Sequence, residues 1–456
     1  MLSASAGYPS LASVMKEFAP LLLLLAMIAA CSGNDADGVQ DEVSDSIADG
    51  GASSMAELAD EYLFLELSMG WHDESHVDAY FGAEAIRERA NEAQLSLEQI
   101  RSAAAALLVK LNQASSAATD VEETARIEGM IARLGALHTR IALQDGQMQT
   151  FDEESRRLFG AAAPDYDEAH FQAIIDDINL LVGGEGDLSV RVNDFQQQFV
   201  VPPDRLPEVF AAAIAECRRR TLLYVDLPDD ESFSIEYVTD KPWSGYNWYQ
   251  GNSQSLIQIN TDLPIFISRA VDLGCHEGYP GHHTFNALLE KNLVEDRNWA
   301  EFSLYPLFSP QSLIAEGSGN YGIDLAFPGA ERTDFEKAVL FPLAGLDAAE
   351  ADRYYELQAL LGQLNYAGNE AARDYLNGDI DRDEAVRWLI RYALSSPERA
   401  LQRTEFFDVY RSYVINYNLG KDMVRDYVER DTNSVEERWK KFEHLLSSAM
   451  TPADLQ

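Results

Sequence analysis

Residues 276 to 283 read His-Glu-Gly-Tyr-Pro-Gly-His-His, and this octapeptide contains three of the eight histidines in the chain. Zinc hydrolases commonly place two histidine ligands and a glutamate in a His-Glu-x-x-His helix, whose positions i and i+4 share one face. Here Pro280 stands at the fifth position, and the next histidine, His282, comes at i+6. Each helical residue turns by about 100°, so i+6 points about 120° away from His276, and His283 at i+7 lies about 10 Å along the axis. An unbroken helix therefore excludes a metal site built from these histidines.

A break in the helix would bring the histidines back together. Pro280 removes a backbone donor and clashes with the preceding turn, while Gly281 tolerates unusual backbone dihedral angles. A kink at these residues can return His282 toward His276, so the sequence predicts these two as metal ligands, with His283 as the alternative to His282. The competing interpretation is a structural histidine cluster at a helix end, satisfied by backbone carbonyls.

Two glutamates complete the predicted site. Glu277 follows the first histidine directly, where its carboxylate can act as general base toward a water activated by the metal. Glu316 lies in a segment that begins with Ser309 and Pro310, the predicted N-cap and first helical residue. Small neighbours on both sides let an ion approach its carboxylate, so we predict Glu316 as the third ligand of a site with one open position. The alternative is a solvated glutamate on a glycine-weakened surface helix.

These residues resemble a known family. The string from Cys275 to His283, followed by Ala315-Glu316-Gly317, resembles the bacterial proteins grouped as domain of unknown function 885, with their H-E-x-x-P-G-H-H and E-G-x-x-x-Y signatures. The resemblance covers most of residues 55 to 430. It implies the architecture of helical zincins such as the carboxypeptidase Taq and thimet oligopeptidase families. Many relatives carry an E-G-W-A-L-Y-x-E helix, whereas this chain has Tyr321 after a Gly-Ser-Gly-Asn stretch; Tyr321 is predicted to bind substrate.

Helical patterning dominates the rest of the chain, so the predicted fold is mainly α, a helical zincin-like metallopeptidase architecture with a small antiparallel sheet beside the metal-binding helix. We expect an N-terminal helical lobe over residues 54 to 225 and a catalytic lobe over 226 to 450. The clearest predicted helices are Met55 to Met69, Leu97 to Ala114 (capped by Ser96), Val121 to Ala142 (capped by Asp120), Glu168 to Val182, Pro207 to Leu223, Glu370 to Leu376, Asp383 to Leu394 and Pro397 to Val414.

The predicted sheet comes directly before the metal motif. Residues 232 to 238 and 255 to 260 alternate like strands, and residues 241 to 247 read as the turn between them. Zincins bind an extended peptide as an added strand at such an edge. We therefore predict that Trp243 and Tyr246 line a substrate cleft; the alternative is aromatic packing within a hairpin.

A tyrosine-rich stretch near residue 410 supplies candidate oxyanion donors. By comparison with helical zincins, Tyr413, Tyr417 and Arg411 are the candidates to stabilise the negative oxygen that forms when water attacks a carbonyl. Arg411 could equally bind a substrate carboxylate bidentately, which would make the enzyme a carboxypeptidase. The alternative is a core helix rich in tyrosine.

The first residues indicate where the protein works. An apolar run behind Lys16 ends in Ile-Ala-Ala-Cys at Cys31, which is typical of a secretory signal peptide over residues 1 to 30. It resembles a bacterial lipobox, which implies cleavage before Cys31 and lipid attachment there. Ser32 in place of Asp indicates an outer-membrane anchor in a Gram-negative envelope. Residues 31 to 53 are acidic and rich in Gly and Ser, and read as a flexible tether.

Charge and cysteine content narrow the function further. The net charge is −41, with 76 acidic against 35 basic residues, which excludes nucleic acid as a partner and electrostatic adhesion to anionic lipid. Membrane contact is thus expected only through the lipid anchor. Cys217 and Cys275 allow a disulfide in an oxidising compartment, although Cys275 also reads as a buried small residue or a third metal ligand.

The sequence thus predicts a membrane-anchored metallohydrolase. Metal-assisted hydrolysis of short peptides by one zinc ion per chain is the favoured function, with cobalt or manganese as alternative metals. One competing hypothesis is a non-peptide amidase or esterase that uses the same site. The other is a catalytically silent, lipid-anchored binding protein. The sequence does not set the oligomeric state.

Overall fold

Helices make up most of the structure, a computed structural model that describes residues 53 to 456. This confirms the prediction of a mainly α fold with small sheets. The predicted signal peptide, Cys31 and the predicted tether up to residue 52 lie outside the described residues. The described residues belong to one compact unit. Among the helices described, none is long and apolar enough to cross a membrane.

The helices follow one another closely along the chain. In the first half they are α1 (Met55–Met69), α2 (Glu84–Ala93), α3 (Leu97–Ala117), α4 (Val121–Gln144), α5 (Phe151–Phe159), α6 (Glu168–Val182), α7 (Leu188–Gln196) and α8 (Leu206–Thr221). In the second half they are α9 (Ser268–Leu273), α10 (His282–Leu289), α11 (Pro310–Ala326), α12 (Glu331–Phe335), α13 (Phe341–Ala344), α14 (Ala351–Gln363), α15 (Ala367–Asn377), α16 (Arg382–Tyr392), α17 (Pro397–Tyr410), α18 (Ile415–Glu429) and α19 (Val435–Ser447).

Helix starts agree with the capping signals of the sequence. The side chain of Ser96 accepts a hydrogen bond from the backbone N–H of Gln99, and Asp120 does the same for Glu123. Helix α6 has the predicted bounds. The predicted helix to Val414 instead ends at Tyr410, where a 3₁₀ turn (Arg411–Val414) separates α17 from α18.

Five short strands form two sheets within the described residues. The strands are β1 (Val77–Tyr80), β2 (Ser232–Val238), β3 (Gly245–Gly251), β4 (Gln254–Asn260) and β5 (Leu304–Pro306). Strand β1 pairs antiparallel with β5, and the other sheet has the order β2-β4-β3.

The prediction of an antiparallel sheet from two strands is wrong in one respect. Strand β4 pairs antiparallel with β3 but parallel with β2, with Ile235 opposite Ile257. The last three residues of the predicted turn, 245 to 247, belong to β3, which connects to β4 through Asn252 and Ser253, both with positive φ (53° and 55°). Such a two-residue turn makes a tight hairpin, so β2 can reach β4 only along its other edge.

Two hydrophobic cores stabilise the unit. The smaller core contains side chains of α1 to α4 together with Leu304. The larger core includes the sheet β2-β4-β3 and the helices from α5 onward. It therefore contains residues on both sides of the lobe boundary predicted between residues 225 and 226. The boundary between two lobes at that point therefore remains a prediction.

Two helices of the larger core cross at glycines. A Cβ atom on Gly317 in α11 would lie 2.4 Å from the backbone carbonyl carbon of Gly420 in α18. This contact excludes any larger residue at position 317 and brings the second turn of α18 against the middle of α11. Glu316 of α11 and Tyr417 of α18 are thereby placed beside each other.

Candidate metal centre

The chain breaks where the sequence predicts a kink. Helix α9 continues as a π-helical turn over Gly274–Gly278, and α10 starts again at His282. Between them the backbone N–H of Gly281 donates to the carbonyl oxygen of Cys275 at 3.0 Å. A Cβ atom on Gly281 would lie 1.8 Å from the carbonyl oxygen of His276, so only glycine lets the chain return this closely.

The returning chain assembles three potential ligands, which we call the ligand cluster: His276, His282 and Glu316. One ligand atom from each lies within 4.8 Å of the other two. Nε2 of His276 is 3.1 Å from Oε2 of Glu316, and Nε2 of His282 is 3.7 Å from the same oxygen. The structure thus brings together the three residues predicted from the sequence.

His283, the alternative ligand, lies elsewhere. It is fully buried, with Nδ1 2.8 Å from Oγ of Ser255 and Nε2 2.9 Å from Oε2 of Glu231. Glu231 also accepts hydrogen bonds from Tyr279 and Arg218. We call these five residues the His283 network. It anchors the start of α10 to α8 and to the sheet.

The His283 network also sets the charge of its carboxylate. Burial by itself would raise the pKa of Glu231, but the hydrogen bonds from His283, Tyr279 and Arg218 outweigh it and lower that pKa. Glu231 is therefore an ionised group with partners on both oxygens. Such an arrangement is typical of a structural ion pair.

A disulfide supports the same region from the other side. Cys217 of α8 and Cys275 of the π-helical turn are bonded to each other. Of the three roles that the sequence left open for Cys275, the disulfide is the observed one, so Cys275 is not a metal ligand. The residue directly before His276 is covalently attached to α8.

Glu277 points a free carboxylate oxygen into the site. Its side chain is 4% exposed, and Oε2 has no hydrogen-bond partner among residues 53 to 456. Burial raises the pKa of this carboxyl, and the neighbouring His276 and His282 oppose the rise. Asn247 of β3 donates to the backbone oxygen of Glu277 at 2.6 Å, so the sheet helps to hold this residue in place. A buried carboxylate with a raised pKa suits a general base.

The two candidate tyrosines differ in what their hydroxyl groups do. Tyr413 donates to Oε1 of Glu316 at 2.7 Å, so its hydroxyl group positions a ligand. The ring centroid of Tyr417 lies 6.5 Å from that of His276, and its hydroxyl group forms no hydrogen bond within the described part of the chain. Tyr417 is therefore the one with a donor free for substrate.

The structure does not bring Arg411 and Tyr321 to the site. Nε of Arg411 donates to Oε2 of the buried Glu154 at 2.8 Å, because α17 ends before Arg411 and its φ of +52° turns the chain toward α5. Tyr321 donates to Glu429 at 3.2 Å. It lies five residues after Glu316, and five residues rotate a side chain about 140° around a helix.

The predicted aromatic residues of the sheet lead to a residue that the sequence analysis missed. The rings of Trp243 and Tyr246 stack with centroids 5.6 Å apart, and the hydroxyl group of Tyr246 donates to Oδ1 of Asp78 at 3.0 Å. Burial raises the pKa of Asp78 to about 7, while Tyr246 and His282 oppose the rise. Asp78 is thus close to the ligand cluster. Its four-residue strand carries no motif, so no sequence signal marks it.

The cluster has the chemistry of a divalent metal site. Nδ1 of His276 and Oε2 of Glu316 are buried without a hydrogen-bond partner in residues 53 to 456. Burial alone would lower the pKa of His282, but the Glu316 carboxylate, whose Oε2 lies 3.7 Å from Nε2 of His282, raises it to about 9. Two imidazoles and one carboxylate with unsatisfied atoms fit zinc and its neighbours in the transition series.

Comparisons with known proteins leave the family open. No protein-family model and no curated protein matches the chain, so the resemblance to domain of unknown function 885 is not confirmed in this way. Among solved structures, the chain is similar to a protein described as a lipoprotein from Colwellia psychrerythraea, at 14% identity over 81% of this chain and 71% of that chain, with a TM-score of 0.47.

Two further solved structures are similar at the same level. One is the M32 carboxypeptidase from Deinococcus radiodurans R1, at 15% identity over 86% of this chain and 88% of that chain, with a TM-score of 0.43. The other is a protein described as a lipoprotein of unknown function from Shewanella oneidensis, at 11% identity over 88% and 89%, with a TM-score of 0.40. The TM-scores are low, and these similarities carry no argument about activity.

Proposed function

We propose that the protein is a zinc-dependent hydrolase of short peptides. The observation that carries this proposal is the combination of the ligand cluster with the free buried carboxylate of Glu277. A purely structural metal site is closed by its ligands and needs no such base. The residues His276, His282 and Glu316 would hold the ion, which when bound supplies Lewis acidity toward a carbonyl and lowers the pKa of water.

The residues of the chain perform the remaining steps. Glu277 takes a proton from the attacking water and delivers it to the leaving amine. Tyr417 donates its hydroxyl hydrogen to the oxygen on which negative charge develops. Tyr413 fixes the orientation of Glu316 through its hydrogen bond at 2.7 Å. An orienting partner of this kind sets the position and basicity of a metal ligand.

The proposal includes the location of the enzyme. We infer attachment of the mature chain to the cell envelope, at the outer membrane, by lipid on Cys31. The inference is supported by the Ile-Ala-Ala-Cys stretch followed by Ser32. A disulfide between Cys217 and Cys275 agrees with an oxidising compartment. Globomycin, an inhibitor of lipoprotein signal cleavage, is expected to shift the protein to its longer precursor on a gel.

Metal content tests the enzyme directly. The fragment from Ser32 is expected to contain about one zinc per chain by mass spectrometry, and to lose it in His282→Ala and Glu316→Ala. His283→Ala serves as the matched control and should retain the metal if it folds, which circular dichroism checks. Absence of metal in the parent protein after zinc is added back would contradict the proposal.

A further inference from the structure

A cleft of about 670 Å³ lies between β1 and β3, a volume typical of sites for small ligands. It is lined by consecutive residues of both strands, 77 to 80 and 248 to 250, so it runs along the edges of the strands rather than over one face. Strand β3 pairs only with β4 in the described sheets, which leaves its edge toward the cleft unpaired. An extended peptide can bind as an added strand at such an edge.

The strand that borders the cleft also contacts the proposed general base. A Cβ atom on Gly245, at the start of β3, would lie 2.7 Å from Oε1 of Glu277. Trp248 follows Gly245 by three residues, which is about 10 Å of strand. Three residues of an extended peptide cover about the same length. A substrate side chain that lies beside Trp248 therefore belongs to a residue about three positions from the carbonyl at the ligand cluster.

Two tryptophans give the cleft aromatic walls. Trp71 is 53% exposed and Trp248 is 48% exposed, and both line the cleft. They are the two exposed tryptophans of the six in the chain, all of which lie in its described part. Trp243 stacks on Tyr246, whereas the rings of Trp71 and Trp248 have no aromatic or cationic partner within residues 53 to 456. The face of a tryptophan ring attracts ammonium and guanidinium groups, so both rings are available to a cation from outside.

The charges of the cleft also favour a cation. Glu74 is exposed, and its carboxylate has no partner among the described residues. The carboxylate of Asp78 has only the hydroxyl group of Tyr246 in that part of the chain. Arg87 is the basic residue of the described lining, and its Nη1 is 3.5 Å from Oε2 of Glu84. Burial raises the pKa of Asp78 to about 7, and a cation bound beside this carboxyl would lower it again.

We propose that the cleft binds a lysine or arginine side chain of the peptide substrate, about three residues from the bond that is hydrolysed. This inference rests on the proposed peptidase function and names its substrate class, peptides that carry a basic residue. The rings of Trp71 and Trp248 would contact the cation, and Glu74 and Asp78 would balance its charge. An acidic side chain would be repelled by the same two carboxylates, and a neutral one would gain neither contact.

Peptides that differ in one charge test the proposal. We would place a single lysine at each position of octa-alanine in turn, with N-ε-acetyl-lysine as the neutral match, and measure kcat/KM of the zinc-loaded protein. Mass spectrometry identifies the bond that is cleaved. Lysine about three residues from that bond should raise kcat/KM about 3- to 30-fold over acetyl-lysine, the usual strength of a cation on a tryptophan face. A ratio near one at every position would overturn the inference while leaving the peptidase function intact.

Variants assign the preference to the cleft. Trp248→Leu and Glu74→Gln should each lower the ratio of kcat/KM for lysine over acetyl-lysine by about 3-fold or more. The matched controls are Tyr237→Leu, an exposed aromatic residue of β2, and Glu88→Gln, an exposed acid of α2; both lie outside the lining and should leave the ratio unchanged. Equal reductions in the cleft variants and the controls would overturn the assignment, as would no reduction in either cleft variant.

Binding without turnover separates the two proposals. Calorimetry with the Glu277→Gln protein and octa-alanine with one central lysine should detect binding that acetylation of the lysine and Trp248→Leu each weaken. If the parent protein cleaves no peptide but this charge-dependent binding persists, the peptidase function fails and the selectivity of the cleft stands. If neither cleavage nor binding of the lysine peptide occurs, both are overturned.

Discussion

His282 and His283 are neighbours in the sequence and have opposite environments. His283 is fully buried, and each of its ring nitrogens has a partner in the His283 network, Ser255 or Glu231. His282 faces the ring of His276 at 4.6 Å and shares Glu316 with it. Around His282 several buried oxygen and nitrogen atoms have no partner, whereas the His283 network leaves none unsatisfied.

Unsatisfied neighbouring atoms distinguish a candidate metal ligand from a structural histidine. An unsatisfied buried polar atom costs about 1–3 kcal/mol, so a fold retains several of them in one place only where something else compensates. The ligand cluster retains such atoms, and a bound metal and substrate would compensate for them. The His283 network is complete without any ligand. Substitutions and pH changes at these residues test the contrast between the two environments.

The largest effect is expected where the unsatisfied carboxylate is neutralised. Glu277→Gln should lower kcat by about 10²–10⁴-fold because the amide cannot accept the proton of the attacking water. Zinc content should stay at the level of the parent, since Glu277 is not a ligand. Single-turnover kinetics beside metal analysis measures both quantities. A variant that keeps its activity would exclude Glu277 as the base.

Substitutions of Tyr417 and Tyr413 should affect different quantities, the first the catalytic rate and the second the affinity for zinc. Tyr417→Phe should lower kcat by about 10²-fold with unchanged zinc affinity, because it removes a free donor. Tyr413→Phe should weaken zinc binding about 10-fold, because it frees Oε1 of Glu316. Competition with a chromophoric chelator gives the affinities. The same profile for both variants would contradict the distinction between them.

Substitutions in the His283 network should lower the stability of the fold more than they lower catalytic activity. Glu231→Gln leaves Arg218 and His283 without their shared negative charge, and we expect a loss of about 1.5–3 kcal/mol in the free energy of unfolding, the range for a hydrogen bond to a charged group. Chemical denaturation of the metal-free protein measures it. Glu208→Gln, on an exposed glutamate, is the control and should cost almost nothing. An unchanged midpoint in Glu231→Gln would remove the structural role of the network.

The smallest effect concerns pH. The pKa of His282 in the metal-free fold is raised to about 9 from 6.5, so its stabilising pair with Glu316 is complete below pH 6.5 and is lost as pH rises through about 9. The melting temperature of the metal-free protein should therefore fall over this range, and less so in His282→Ala. Because zinc binding displaces this proton, the affinity for zinc should increase by up to about tenfold for each unit of pH increase below pH 9.

Structural features that depend on neighbouring residues can be predicted from the sequence. The capping and periodicity of α3, α4 and α6 are local, and their elements follow the prediction. The approach of His282 to His276 was also predictable, because Pro280 and Gly281 lie inside the motif that they bend. Glu316 required a pattern of small residues within one helix.

The strand pairing and the positions of Arg411 and Asp78 depend on contacts between distant segments. Alternation identifies β2 and β4 as strands, but it does not reveal that β3 occupies one edge of β4 or that β2 pairs in parallel with the other edge. Arg411 pairs with Glu154, 257 residues earlier, and no local sequence pattern indicates that partner. Asp78 reaches Tyr246 across 168 residues for the same reason.

The disulfide between Cys217 and Cys275 has a consequence for how the protein must be made. It closes a loop across a sequence separation of 58 residues, which by loop-closure entropy removes about 4 kcal/mol of freedom from the unfolded chain. A chain kept in a reducing cytosol lacks this cross-link, and its π-helical turn is held only by noncovalent contacts, among them the hydrogen bond from Asn247 to the backbone oxygen of Glu277. Recombinant protein from an oxidising host is therefore expected to outlast cytosolic preparations at elevated temperature. Under the proposed export, the disulfide beside His276 would form only after the chain has left the cytosol.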